Sequence, residues 1–326
     1  MDKRRLQRTG GSSLTVTVPK KWVTQHELTE KDQVLMYAQT SGALLIKTAP
    51  RSTRAQKPAV LSLANLTPAM ITREATALYI AGVEEIEFRH PTITKEQRAH
   101  IRRSTYLFMG FEIVDESADR VTIRNILDVT KLTIPDTIDK MVATAQSMMK
   151  DAVTAVMNNA AEASSDMADR DREIDKLYLV IKRQFHSALS DQMSEEELHL
   201  DRSDLNYYST IAAQLERIAD HAVKVARLVR IESRAMVRTT AVLYTELLDQ
   251  LLATMTEIGN IIHAPNRTAA HHMLNKSTVL EKNIAALART SNPPLAARVI
   301  LNDSFDRMLG YLINIAESII DRSVRQ

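Results

Sequence analysis

The stretch "LERIADHAVKVA", Leu215 to Ala226, places Leu215, Ala219, Ala222 and Ala226 on one stripe of a 3.6-residue helix. Further along, "FDRMLGYLINIA", Phe305 to Ala316, matches it, and "IDKLYLVIKR", Ile174 to Arg183, is matched by "LEKNIAALAR", Leu280 to Arg289. Helices that recur in the same order describe a bundle built from two copies of a three-helix unit. Working outward, Ile138, Met141, Val142, Ala145, Met149, Ala152 and Val156 mark one face of a long helix beyond Pro135. The spacing predicts five more helices, at 167–191, 203–231, 237–262, 268–290 and 296–325. Connections such as "DQMSEEELHLDR" and "TSNPPL" carry the Pro, Ser and charge signals of breaks. Residues 135–326 therefore read as a six-helix antiparallel bundle, with repeats 135–232 and 237–326.

Upstream the period changes. Leu14, Val16 and Val18 alternate with Thr15 and Thr17, and Thr9-Gly10-Gly11-Ser12 offers the positive-φ positions of a hairpin. Pro19 stands where a short helix begins, and "QVLMYAQ" and "ALLIKTA" flank a Thr40-Ser41-Gly42 turn, so residues 1–50 read β-β-α-β-β. So few large apolar side chains bury too little surface for independent stability, and pairing with a second copy is the expected remedy. The polar, cationic stretch 51–60 reads as a linker. In 61–130, Thr67-Pro68 starts a helix that Gly82 ends, and Thr94 with Gln97 forms a capping box for a second helix that Gly110 ends. With "EEIEF", "FEIVDE" and "RVTIRNI" as strands this makes a small α-β-α-β-β connecting domain. The fold class is mostly α and multidomain.

Composition narrows the function. The chain has 326 residues and no Cys, so disulfides, thiolate metal sites and thiol nucleophiles are excluded. Charged residues follow Met1 directly and no 18-residue apolar run occurs, which points to a soluble, cytoplasmic protein without a membrane span. Net charge is only +2, yet residues 1–57 carry +7 and the remainder −5. Clustered Lys and Arg, rather than total charge, attract polyanions. No nucleophile elbow, phosphate-binding Gly-Lys loop or dinucleotide fingerprint occurs, so nothing argues for an enzyme.

Two groups of residues carry candidate chemistry. Asp171 and Asp175 lie four apart on one helix, and Glu216 and Asp220 lie four apart on another, so each like-charged pair shares a helical face. A hard cation held between the two helices would offset the repulsion; a solvated face beside Lys176 and Arg217 accounts for the same spacing. A di-iron oxidase would want Glu-x-x-His, but Ala219 stands where that histidine would be. His26, His186, His199, His271 and His272 have no ligand spacing and receive no role. At the N-terminus, Arg4, Arg5 and Arg8 run along the first strand, with Lys20 and Lys21 opening the helix. In a two-fold dimer they would double into a surface for duplex phosphates, and an ordinary solvated basic end is the alternative. Trp22 is read as core rather than as a base-stacking platform.

Through "GGSSLTVTVPKKW", its short helix and its second hairpin, Arg4 to about Thr48 resembles the AbrB/SpoVT-type swapped-hairpin DNA-binding domain. Residues 135–326 resemble the PhoU family of phosphate-uptake regulators, whose Glu/Asp-x-x-x-Asp metal motifs are matched by "DREID" and "ERIADHA". The two modules in this order resemble archaeal PhoU-type regulators. The resemblance implies metal binding (Fe, Zn, Mn or Mg) at Asp171, Asp175, Glu216 and Asp220, and DNA binding at Arg4, Arg5, Arg8, Lys20 and Lys21. In the second repeat the corresponding positions are Ser277, Glu281, Asp306 and Gly310, so Glu281 and Asp306 are the weaker candidates. The implied function is a homodimeric transcriptional regulator of phosphate uptake that binds double-stranded DNA. The alternative is an adaptor that docks onto a phosphate ABC transporter or a sensor kinase and uses the hairpins only to dimerise.

Overall fold

The computed structural model describes residues 3–38, 42–49, 58–128, 131–158, 166–190, 193–230, 237–289 and 296–324. Thr40 and Ser41, most of the expected linker and the whole of "TSNPPL" lie outside the described residues. Residues 1–57 and 58–326 form two compact units.

In the first unit, β1 (Gln7–Thr9) and β2 (Ser13–Thr15) pair antiparallel, with Gly10 at φ 68° in the connecting turn. Helix α1 (Lys20–Gln25) follows Pro19, and β3 (Val34–Ala38) pairs with β4 (Leu44–Thr48) as a second hairpin. The two hairpins form separate two-stranded sheets. Among its described residues this unit has no buried side chain. Leu6 and Leu14 are more than 60% exposed, at 65% and 61%, and Trp22, read as core, is half-buried.

The second unit begins with a strand where the linker was expected to end. Strand β5 (Ala59–Ser62) lies parallel to β6 (Glu85–Arg89), joined to it through α2 (Pro68–Ile80). After α3 (Lys95–Leu107) come β7 (Phe111–Glu116) and β8 (Arg120–Asn125), giving the sheet order β5-β6-β8-β7. The expected α-β-α-β-β region thus has a leading β-strand; Pro58 and the preceding cationic residues hide its short apolar alternation. Local chemistry sets the ends of α2 and α3. The Thr67 hydroxyl accepts from the Met70 amide with Pro68 in the first turn, and Thr94 and Gln97 form the reciprocal capping box. Gly110, at φ 87°, turns the chain into β7 where an added Cβ would lie 2.5 Å from Asn125 Oδ1. Ile86, Phe88, Val121 and Ile123 point from the sheet toward Ile71, Tyr79 and Ile101 of the helices.

The bundle comprises α4 (Ile134–Asn158), α5 (Met167–Leu189), the single turn α6 (Glu195–Leu198), α7 (Arg202–Ala226), α8 (Val237–Ile262), α9 (Arg267–Arg289) and α10 (Ala296–Ser323). These are the six expected long helices, with α6 inside the stretch read as a loop. Ser194 and Glu197 cap α6 reciprocally, which is why so short an acidic segment closes a turn. One apolar core runs through both repeats, α4 and α7 packing most closely and α10 bridging α7 to α9.

Arg183 on α5 fastens the α/β layer to the bundle. It is 2% exposed and donates to the carbonyls of Tyr79 (2.6 Å), Val83 (3.0 Å) and Gly82 (3.3 Å) and to Glu84 Oε1 (2.5 Å). Its guanidinium also lies over the Tyr79 and Phe111 rings, at 5.0 and 5.6 Å. The carbonyls where α2 ends thereby gain a cationic donor from another element, that of Tyr79 in addition to the Gly82 amide it already accepts. Arg183→Ala should cost ~3 kcal/mol by urea denaturation of the full chain, because several buried acceptors lose a charged donor. Arg183→Lys should recover only part of that loss, since one ammonium cannot span the fork.

Candidate functional site

Helices α5 and α7 pack along one another because each carries a continuous apolar stripe, Ile174, Leu177 and Ile181 on one and Ile211, Leu215, Ile218 and Ala222 on the other. Asp171, Asp175 and Glu216 stand at the edge of those stripes and are half-buried, while Asp220 is exposed. The packing brings all four into one another's field. Burial raises the Asp175 carboxyl to about 6, helped by the charges of Asp171 and Asp220. Glu216 is pushed to about 7 by burial and then by Asp220 and Asp175, against the lowering effect of Arg217. Asp171 is also raised, by burial and by Asp220, with Arg227 opposing. The phenol of Tyr178 is raised by burial and by Glu216.

Among the described residues none of the four carboxylates takes part in an ion pair or side-chain hydrogen bond. Nor, among those residues, do three His, Cys, Asp or Glu side chains converge closely enough to hold a metal ion. The arrangement is an open set of mutually repelling oxygen donors, coupled across the helix seam. The four offer oxygen donors alone, without the nitrogen or sulfur ligands that zinc prefers.

The second repeat differs. Ser277 is buried and donates to the Met273 carbonyl at 3.0 Å, so its hydroxyl proton is spent within α9. Glu281 and Asp306 are exposed, and Gly310 leaves open space where the first repeat has Asp220.

In the N-terminal unit Arg4, Arg5, Arg8, Lys20 and Lys21 are all exposed. Arg8 lies on β1 opposite Leu14, and Lys20 and Lys21 form the first turn of α1. Arg4 Nη1 donates to Thr17 Oγ1 at 3.4 Å, which holds it beside the segment entering that helix.

Sequence reasoning missed a second polar assembly at the far end of the bundle. Tyr208 meets His263 Nδ1 at 3.0 Å, His263 Nε2 meets Asp139 at 2.8 Å, and Arg322 pairs with Asp204 at 2.9 Å. Its members come from α4, α7, the end of α8 and α10, and no local spacing announces such a group.

The described residues thus comprise a cationic hairpin unit without buried side chains and a two-repeat helical bundle with a carboxylate seam. Comparison with known proteins gives each of them a likeness. Residues 138–229 match the model of the PhoU domain. Residues 7–54 match the model described as antidote-toxin recognition MazE, bacterial antitoxin. Among solved structures the chain is similar to PhoU from Pseudomonas aeruginosa, at 18% identity and TM-score 0.51, over 59% of this chain and 96% of that one. It is also similar to the phosphate transport system regulatory protein PhoU from Streptococcus pneumoniae, at 14% identity and TM-score 0.49, over 59% of this chain and 94% of that one. Among curated proteins none matches the chain in sequence. The chain carries a PhoU domain, in a bundle of the PhoU fold, and an N-terminal MazE/AbrB-like module. No helix among the described residues is long and apolar enough to cross a membrane.

The carboxylate seam gives stability a pH dependence with a defined sign. The folded chain holds protons on Asp175 and Glu216 that an unfolded chain releases above about pH 4. Their stabilising contribution is full below that pH and is lost as pH rises through about 6 and about 7. In chelator-treated protein, Asp175→Asn with Glu216→Gln should therefore stabilise the fold at pH 8 by about 1–2 kcal/mol, a figure reduced for solvent screening. Thermal melts at pH 5 and pH 8 should lie closer together for the variant than for the wild type, and equal separations would refute the coupling.

Proposed function

We propose that the chain is a homodimeric DNA-binding regulator of phosphate homeostasis, its bundle responding to a metal ion or a transport component and its N-terminal module engaging duplex DNA. The observation that carries this reading is the N-terminal unit, whose described residues include none that is buried although it displays Leu6, Leu14, Met36 and Leu44 at more than 50% exposure. A unit without an interior is completed by a second copy, which would bury those apolar side chains and place two sets of Arg4, Arg5, Arg8, Lys20 and Lys21 together. Doubled cationic surfaces of that kind suit the phosphates of two successive half-sites. The PhoU domain, the PhoU fold of the bundle and the resemblance to phosphate-uptake regulators support phosphate status as the signal.

The metal reading rests on the four unpaired carboxylates. Asp171 and Asp175 from α5 and Glu216 and Asp220 from α7 would hold a cation, and the all-oxygen donor set suits Mg²⁺, Mn²⁺ or Fe³⁺ better than Zn²⁺. The bound ion would supply positive charge that fixes the α5–α7 seam. Linkage then requires that whatever favours one arrangement of the bundle also changes the DNA affinity, if the bundle arrangement sets the spacing of the paired modules.

Three measurements separate the parts of this reading. Leu14→Asp should convert a dimer to a monomer in light scattering, and an unchanged dimer would remove the hairpin unit as the dimerisation element. Fluorescence anisotropy across a salt series should show duplex DNA binding that Arg5→Ala/Arg8→Ala/Lys20→Ala weakens, with a salt slope shallower by about 0.9 for each phosphate that is no longer neutralised. Equal binding by wild type and variant would leave the hairpins as a dimerisation device, and docking onto a transporter or sensor kinase would then be the better account. Mn²⁺ should raise the melting temperature of the wild type and leave Asp171→Ala/Glu216→Ala unmoved; equal shifts would sink the metal assignment.

A further inference from the structure

Where α7 begins and α10 ends, the two helices enclose an open cleft of about 220 Å³. Ser203, Asn206, Tyr207 and Thr210 line it from α7, and Ser318, Asp321 and Arg322 line it from α10. The hydrogen bonds around the cleft determine what each group has left to offer. Thr210 Oγ1 donates to the Asn206 carbonyl and Ser318 Oγ to the Asn314 carbonyl, both at 2.9 Å, so their protons are spent within their own helices. Each hydroxyl can then only accept. The Tyr207 hydroxyl donates to the Ile262 carbonyl at 2.8 Å and is likewise committed.

Arg322 is held in one pose. Its guanidinium lies 4.6 Å over the Tyr207 ring and 5.2 Å from that of Tyr208. Nε pairs with Asp204 at 2.9 Å, and Nη1 donates to Tyr208 Oη and to the Ile262 carbonyl, both at 3.3 Å. Nη2 takes part in none of these three contacts. Asp204 offsets the charge of Arg322, while the exposed Asp321 lines the cleft from α10.

We propose that this cleft is a binding site for a small zwitterion, of the class of α-amino acids with short side chains. The ammonium would sit against Asp321 with the lone pairs of Thr210 and Ser318, matching three N–H donors to three acceptors. The carboxylate would take Arg322 Nη2 and the Asn206 carboxamide. A simple anion would meet Asp321, a simple ammonium would leave the guanidinium end unused, and a divalent cation would find a single carboxylate. The far end of the bundle thus acquires a ligand role separate from the α5–α7 carboxylates, and the assignment stands whether or not those bind metal.

The test is calorimetry of the full-length chain with L-alanine, alongside ethylamine and acetate as the two halves of the zwitterion. L-alanine should bind with millimolar affinity or tighter, and each half at least about tenfold more weakly. Asp321→Asn, an exposed change that leaves the Arg322 contacts intact, should weaken L-alanine binding by about tenfold or more. Thr210→Val should weaken it by a smaller factor, and both variants should keep the wild-type circular dichroism spectrum. No heat with L-alanine, equal affinity for ethylamine or acetate, or an unchanged affinity in folded Asp321→Asn would overturn the proposal.

Discussion

Burial of the α7 apolar stripe is the constraint on which the rest of the second unit depends. Ile211, Leu215, Ile218, Ala219 and Ala222 are each at most 1% exposed, and α7 packs against α4, α5 and α10 at once. A helix enclosed on so many sides has little freedom to rotate, so residues at the margin of its stripe are carried into whichever seam lies beside them. Glu216 and Asp220 enter the α5 seam, while Gln214 and Lys224 enter the α10 seam, bonding Asn314 and Asp303. The hydrophobic gain of the stripe, about 25 cal/mol per Å² of apolar surface, is what lets the bundle tolerate like charges so near one another.

That tolerance links stability to chemistry. A carboxylate raised to about 7 at the edge of a core is a standing cost at neutral pH, and cation binding is one way to remove it. The α5 helix joins this seam to the α/β layer, because Arg183, two turns beyond Asp175, carries the contacts to Tyr79, Gly82, Val83 and Glu84. One helix therefore bears both the acids and the fastening. The N-terminal unit obeys a different constraint. Among its described residues the strands are three to five residues long and pair two to a sheet, and their apolar faces have no buried side chain.

Much of this is legible along the chain. The spans of α4, α5, α7, α8, α9 and α10 follow from apolar period and breaks, and the capping box of α3 from Thr94 and Gln97, because these signals act within four residues. The i,i+4 acids are equally visible as pairs. Strand β5 was hidden, since four residues after Pro58 and a cationic run show too little alternation to outweigh the linker signal. Arg183 was hidden too: in sequence it is one more basic residue in an amphipathic pattern, and its acceptors lie 99–104 positions away.

The sequence by itself determined the six long helices and most of the strands, the two-repeat order of the bundle, the separation of a cationic first unit from an acidic remainder, and which acidic and basic residues are the candidates for metal or DNA binding. These depend on local periodicity, capping and charge counts. Only the tertiary structure decided that Asp171, Asp175, Glu216 and Asp220 share one field, that Glu281 and Asp306 stand exposed without such a set, and that Tyr208, His263, Asp139 and Arg322 meet at the bundle's end. The physical reason is that electrostatic coupling and hydrogen bonding depend on separations of a few ångströms between distant segments. Those separations are set by how the buried stripes of neighbouring helices fit together, which no window along a single helix contains.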